Sequence, residues 1–218
     1  MMNKTLFLGW SLSRWVTHGV MLALTLLVWA LTAALKPTLQ AVHSLTIATG
    51  YAAFIMLVLT LVIGMWTLLR RQTRRNPINL YVRRDIGIWA AWIGIAHVIF
   101  GFQVHLRGDV VGYFFDQGRL RLDLFGFAND VGLIGVVILI ALLVLSNDWS
   151  MRWLKGKRWK AIQRLNYILF AAVVAHTLAY QSVVRRETAL IVVVIVMTLV
   201  VLIIQGIGIR WVRARSLL

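Results

Sequence analysis

Apolar residues run along this chain in long, nearly unbroken blocks. They do not show the two-residue alternation of a half-buried strand or the one-sided 3.6-residue repeat of a surface helix. Six blocks stand out, at about 12–35, 45–69, 86–106, 125–146, 161–183 and 188–209, each near the roughly 20 residues that a helix needs to cross a bilayer. Short connections separate them. The pattern predicts an all-α, polytopic membrane protein, a six-transmembrane-helix bundle forming a single domain over residues 1–218. The fourth block carries Gly126, Gly132 and Gly135 beside Asn129 and Asp130; small residues let helices approach closely, so this helix is expected inside the bundle. The sixth is Val, Ile and Leu almost to Gln205 and is expected to face lipid.

Composition removes several alternatives. At 61% hydrophobic and 14% charged, 218 residues hold more apolar surface than one soluble core can bury. The first block is too long for a signal-peptide core and lacks a small-residue cleavage site, so it is expected to remain as a span. The absence of cysteine excludes disulfides, thiolate catalysis, iron–sulfur clusters and thioether-linked haem. No Gly-rich dinucleotide fingerprint follows a strand, so a nicotinamide or flavin domain is not expected within the chain.

The net charge of +16 would suggest nucleic acid in a soluble protein, but here the basic residues sit between spans and read as topology signals. With both termini cytoplasmic, most of the 23 Lys and Arg residues share that side: Lys4, Arg14, Arg70, Arg71, Arg74, Arg75, Arg83, Arg84, the group from Arg152 to Arg164, Arg210, Arg213 and Arg215. The opposite side keeps Lys36, Arg107, Arg119, Arg121, Arg185 and Arg186, partly balanced by Asp109, Asp116, Asp123 and Glu187. This bias predicts a multi-pass membrane protein with both termini cytoplasmic, in contact with lipid and not with nucleic acid. Trp10, Trp15, Trp149, Trp153, Trp159 and Trp211 cluster at the cytoplasmic interface, where indoles ordinarily anchor.

Against this background the histidines carry the chemistry. An imidazole in hydrocarbon is costly unless bonded, which makes it a functional-site candidate. Counting at about 1.5 Å per residue, His97 lies about 18 Å from Asp85 and His176 about 22 Å from Ala161, on helices running the same way. The two can face each other at one level. A single transmembrane histidine more often holds helices together. Two at equal depth, flanked by Gly94 and Gly101 on one helix and by Ala172, Ala175 and Ala179 on the other, favour a large flat ligand. Two imidazoles without carboxylate or thiolate make a poor zinc site, whereas haem needs two axial nitrogens, so His97 and His176 are the candidate metal ligands. His105 falls about 80° around its helix from His97 and reads as an interfacial or haem-propionate contact. His43 is expected in a solvated outer connection, and His18 is weighed chiefly as a packing residue.

These residues are similar to a known family. Arg83-Arg84 followed by Gly87, Trp89 and His97, the set Trp159, Leu165, Tyr167 and His176, and Thr49-Gly50 at the start of the second block resemble the ferric reductase-like transmembrane domain. Within that family they look most like its haem-binding membrane subunits of periplasmic methionine sulfoxide reductase systems. The resemblance implies six helices, haem b, transmembrane electron transfer and a place in the bacterial cell inner membrane. It also implies a departure: two-haem members place a second histidine 13 or 14 residues before each outer one, and here Arg83 or Arg84 and Gln163 stand at those positions. One haem is therefore expected, with an inner site for a flavin or a quinone beside Arg83, Arg84 and Gln163.

The expected function is an electron-transfer membrane subunit that takes electrons from a cytoplasmic flavin reductase or quinol and passes them through haem b to a periplasmic acceptor such as a molybdoenzyme. The rival is a non-redox transporter or assembly factor whose histidines are structural. Transporters usually show broken helices or intramembrane carboxylates; Asp130 is the lone candidate carboxylate, and both prolines fall in loops.

Overall fold

The computed structural model of the protein describes residues 12–69, 80–183 and 188–215. They form α1 (Leu12–Leu35), α2 (Ala41–Leu69), α3 (Leu80–Leu106), a short α4 (Val110–Phe114), the strands β1 (Phe115–Asp116) and β2 (Arg119–Leu120), α5 (Leu124–Val144), α6 (Asp148–Trp153), α7 (Lys155–Gln163), α8 (Leu165–Val183) and α9 (Thr188–Arg215). Six stretches are long and apolar enough to cross a membrane: Leu12–Leu35, Ala41–Trp66, Tyr81–Leu106, Leu124–Val144, Lys155–Val183 and Thr188–Ala214. The protein is thus a polytopic all-α membrane protein. Lys4, Trp10, Arg70, Arg71, Arg74, Arg75, Arg185, Arg186, Glu187 and the side chain of Arg215, all used above to orient the chain, lie outside what is described.

Several helices are longer than their apolar blocks, because polar residues at a helix end still satisfy the backbone there. The second begins at Ala41, just after the turn at Pro37–Leu39, which places His43 in its first turn and corrects the expectation of a loop histidine. The third begins at Leu80 and so carries Arg83, Arg84 and Asp85 within the helix. The fifth span joins α7 and α8 at Arg164, where the ladder tightens: the Arg164 N–H bonds to the Ala161 carbonyl at 3.1 Å. Between α3 and α5, β1 and β2 pair antiparallel, Phe115 opposite Leu120 and Asp116 opposite Arg119. Their turn needs positive φ at both central residues, Gln117 at 48° and Gly118 at 77°.

The helix at the centre is the second, not the fourth. Ala48 and Ala52 let neighbours come close to α2, while Phe54, Leu57, Val58 and Leu61 join Leu142, Leu169, Phe170, Val194 and Val201 in one core cluster. Phe54 and Phe170 stack with ring centroids 6.0 Å apart. A second cluster, Met21, Met56, Ile86 and Ala90, joins α1, α2 and α3. The glycines of α5 favour close approach on one side, yet Leu133, Ile134, Val137, Ile140 and Val144 are exposed on the other. Helix α9 buries Val194 and Val201, and its Gln205 amide donates to the Leu61 carbonyl at 3.1 Å; its remaining apolar side chains are largely exposed.

Two polar contacts fix the basic end of the bundle. Asp85 is fully buried (0% exposed) and accepts from Arg14 Nε at 2.7 Å and Nη2 at 2.8 Å, tying α1 to α3. Trp159 is buried rather than interfacial, its indole N–H donating to the Leu145 carbonyl at 2.9 Å past the end of α5. Trp149 and Trp153 are exposed, stacked 5.7 Å apart.

Candidate cofactor site

The bundle contains two closely packed antiparallel pairs, α2 with α3 and α5 with α8, which meet through α3–α5 and α2–α8 contacts. A cavity of about 840 Å³ lies among these four helices, within the size range of cofactor pockets. One end reaches His43, His105 and Tyr180; the basic end reaches Arg83, Arg84, Lys160, Gln163 and Arg164. Its middle is walled by apolar side chains such as Phe54, Leu57, Leu139 and Val173.

His97 and His176 line this cavity, one from each pair. Their ring centroids are 6.3 Å apart and their planes stand at 85°. The His97 Nδ1–H donates to the Thr46 carbonyl at 2.9 Å, and the His176 Nδ1–H donates to the Ala128 carbonyl at 2.8 Å. A carbonyl only accepts, so both bonds place the proton on Nδ1 and leave each Nε2 as the unprotonated nitrogen, the one that could hold a metal. Metal-binding imidazoles are commonly oriented by such a bond from the other nitrogen. At a ring separation of 6.3 Å the two imidazoles are near enough to hold one group between them.

Each hydrogen bond also dictates a glycine. In a helix the carbonyl of residue i points towards residue i+4, so a ring that bonds to it lies over that residue. Gly50 follows Thr46 by four and Gly132 follows Ala128 by four. A Cβ on Gly50 would stand 2.9 Å from His97 Nδ1 and Cε1; one on Gly132 would stand 2.8 Å from His176 Nδ1. Sequence reasoning had Gly50 only through the family resemblance and Gly132 only as a small packing residue. Their spacing to the carbonyl was the signal that would have identified both as histidine seats.

Gly94 and Gly101 both line the cavity. A Cβ on Gly94 would come 3.1 Å from Leu139 Cδ1, so its bareness serves the α3–α5 approach, while one on Gly101 would make ordinary contact with Thr46. Arg83 lies across α2, its Nε–H donating to the Thr60 carbonyl at 3.0 Å, against Gly64, where a Cβ would stand 2.8 Å from Cζ. Arg84 pairs with Asp148 and its Cζ lies 4.9 Å over the Tyr81 ring. Gln163 lines the basic end, its side-chain nitrogen buried with no hydrogen-bond partner among the described residues.

The remaining histidines divide between the two ends. His18 accepts from the Trp89 indole at 2.8 Å and stands 3.8 Å from Asp85, a packing contact between α1 and α3. His43 and His105 meet at the far end with centroids 5.8 Å apart, and Tyr180 packs at 5.0 Å from His105 and 5.1 Å from His176. Outside the spans, Arg84's hydrogen bond lowers the Asp148 pKa. Burial, aided by Asp130, pushes the Tyr113 phenol up to about 12, keeping it a donor to the Asn129 carbonyl at 2.5 Å.

Among the described residues no group of three or more His, Cys, Asp and Glu side chains gathers to hold a metal ion. Two opposed imidazoles in an apolar cavity instead suit a flat cofactor that brings its own equatorial donors. The fold and site therefore define a class: a multi-pass helical bundle with paired histidine stations between two helix pairs. The chain belongs to the ferric reductase like transmembrane component family, whose pattern it matches over residues 49–175, a stretch that contains Gly50, His97 and Gly132 and ends one residue before His176. It is 31% identical over 135 residues to the protein-methionine-sulfoxide reductase heme-binding subunit MsrQ of Bordetella pertussis (strain Tohama I), which covers 62% of this chain and 60% of that protein. It is 33% identical over 111 residues to the subunit of the same name from Agrobacterium fabrum, covering 49% of this chain and 47% of the other. The matches thus span less than two thirds of those relatives. No solved structure matches the chain.

Proposed function

We propose that this chain is a haem-binding transmembrane electron-transfer subunit, with His97 and His176 as the axial ligands of one haem b and residues 1–218 acting as one ferric reductase-like transmembrane domain. The observation that supports the reading is the pair of Nδ1–H···carbonyl bonds, which leaves both Nε2 atoms unprotonated and able to take a metal, at a 6.3 Å ring separation. The relatives, heme-binding subunits of protein-methionine-sulfoxide reductases, support it. When bound, the haem supplies a one-electron Fe(III)/Fe(II) couple. The protein orients the imidazoles through Thr46 and Ala128, seats them on Gly50 and Gly132, and surrounds the macrocycle with apolar side chains.

The basic end is the cytoplasmic side of a bacterial inner membrane in this reading, with both termini there. Arg83, Arg84, Lys160, Arg164 and Gln163 at that end of the cavity would receive a flavin or quinone, or an electron donor such as a flavin reductase or quinol. The far end, at Tyr180 and His105, faces the periplasmic acceptor, a molybdoenzyme being the one favoured.

The test is a reduced-minus-oxidised spectrum of purified protein. Wild type is expected to show b-type Soret and α bands, with His97→Ala and His176→Ala each abolishing them and His43→Ala retaining them. A wild-type protein without those bands after expression with ample haem would overturn the reading in favour of a non-redox membrane protein with structural histidines. Haem retained in both ligand variants would overturn the ligand assignment.

A further inference from the structure

One partly buried cation at the far end has a buried donor atom that no described residue takes up. Arg121 follows β2, its Cζ lying 4.7 Å over the Phe125 ring. Its Nη2 makes a 3.5 Å contact with Asp116, whose side chain is 62% exposed, while its Nε is buried without a hydrogen-bond partner among the described residues. A guanidinium N–H removed from water and left unpaired is costly, which points to a missing acceptor. The neighbouring carboxylates are occupied elsewhere: Asp109 accepts from the Val111 N–H and Asp123 from the Gly126 N–H, both at 2.9 Å.

Arg121 also stands where a side arm of the cofactor would end. It lines a second pocket, of about 520 Å³, together with His105, Leu106, Arg107 and Asp109; His105 and Leu106 line the main cavity as well. Phe125 lies 5.4 Å from Tyr180, which packs against His176. At 1.5 Å per residue, Arg83 is about 21 Å along α3 from His97, whereas the far end of that helix is about 14 Å away. A carboxylate attached to a macrocycle at the His97 level reaches towards the far end and not to Arg83.

We propose that Arg121, with His105 beside it, is the seat for a haem propionate, so that the macrocycle stands with its carboxylates towards the far end. This rests on the reading above that a haem spans His97 and His176. Arg121 then acts as a positioning residue: it neutralises the carboxylate, takes it with Nε–H and fixes the rotation of the ring about the iron–histidine axis. A cation there disfavours the ferric form, so its removal lowers the midpoint potential.

The experiment is a spectroscopic redox titration of the purified holoprotein. Arg121→Gln is expected to keep the b-type bands of a bis-histidine haem with a lower midpoint potential. Arg121→Lys is expected to restore most of the difference, and Arg119→Gln, on the exposed face of the hairpin, to match wild type. Wild type reloaded with haem dimethyl ester, whose propionates are uncharged, is expected to rise in potential, because an anion is lost while the Arg121 cation stays, and to release its haem faster than with native haem, an arm that holds even if that variant fails to fold. Equal potentials for wild type, Arg121→Gln and the ester-loaded protein would overturn the seat. So would an unchanged potential accompanied by a raised KM for an outer acceptor, which would assign Arg121 to a carboxylate on that acceptor. A wild-type protein with no haem bands fails the underlying reading first, and is distinguished by the absence of any potential to measure.

Discussion

The two ends of the cavity are built on the same scaffold and filled differently. Near the far end, His97 leans on Gly50 and His176 on Gly132. Fourteen residues along α2 from Gly50 and fourteen back from His97, Gly64 meets Arg83. In the second pair the corresponding residues are Ser146, fourteen after Gly132, and Gln163, thirteen before His176; both line the cavity. A rigid ring pinned by one hydrogen bond has nowhere to go when its glycine gains a side chain. A guanidinium at the end of three methylenes can swing aside. The same bare position is thus structural at one level and optional at the other.

That contrast can be broken by substitution. Gly50→Ala and Gly132→Ala are each expected to displace a histidine from its carbonyl and to weaken haem binding by about 10–100-fold, the usual cost of losing a ligand's orienting partner. Gly64→Ala is expected to leave haem content at the wild-type level, because Arg83 yields. Equal losses at all three positions, measured as haem per protein after purification, would remove the distinction. A smaller effect tests the basic end alone: Arg83→Met is expected to keep the haem bands while slowing reduction by an added anionic flavin donor about tenfold, at low salt. Reduction at the wild-type rate would leave Arg83 with only its Thr60 contact.

The smallest effect concerns pH. Asp148 outside the spans has its pKa lowered from 3.8 by Arg84, so the pair stabilises the fold above the unfolded-state value and loses this as pH falls through the folded-state value. Because Asp148 is exposed, Asp148→Asn is expected to lower stability by less than about 1 kcal/mol at neutral pH. The gap to wild type should close below about pH 4, read as thermal unfolding in detergent.

Much of this was legible in the amino-acid order. Block length and hydropathy located six spans, and residue counting placed His97 and His176 at one level without any knowledge of packing. What escaped was whatever depends on which helix neighbours which. The centrality of α2 was hidden because its uniformly apolar composition looks like that of a lipid-facing helix; only the packing distinguishes Met56 and Leu61, buried, from Val196 and Leu202, exposed. Trp159 reads as an interfacial anchor until the end of α5 is seen to supply a carbonyl for it. His43 looked like a loop residue because polar side chains in a first helical turn resemble a connection. Asp85 marked an edge in the sequence, and its partner Arg14, 71 residues away, could not be picked from among so many cations.

The hydrogen bonds that orient the two histidines have a consequence for biogenesis. Thr46 and Gly50 are on the helix immediately before His97, and Ala128 and Gly132 are on the span immediately before His176. Each half of the site can therefore be finished inside its own helical hairpin as that hairpin enters the bilayer, without waiting for the other. Docking of the two hairpins would then bring together imidazoles whose tautomer and tilt each hairpin can fix on its own.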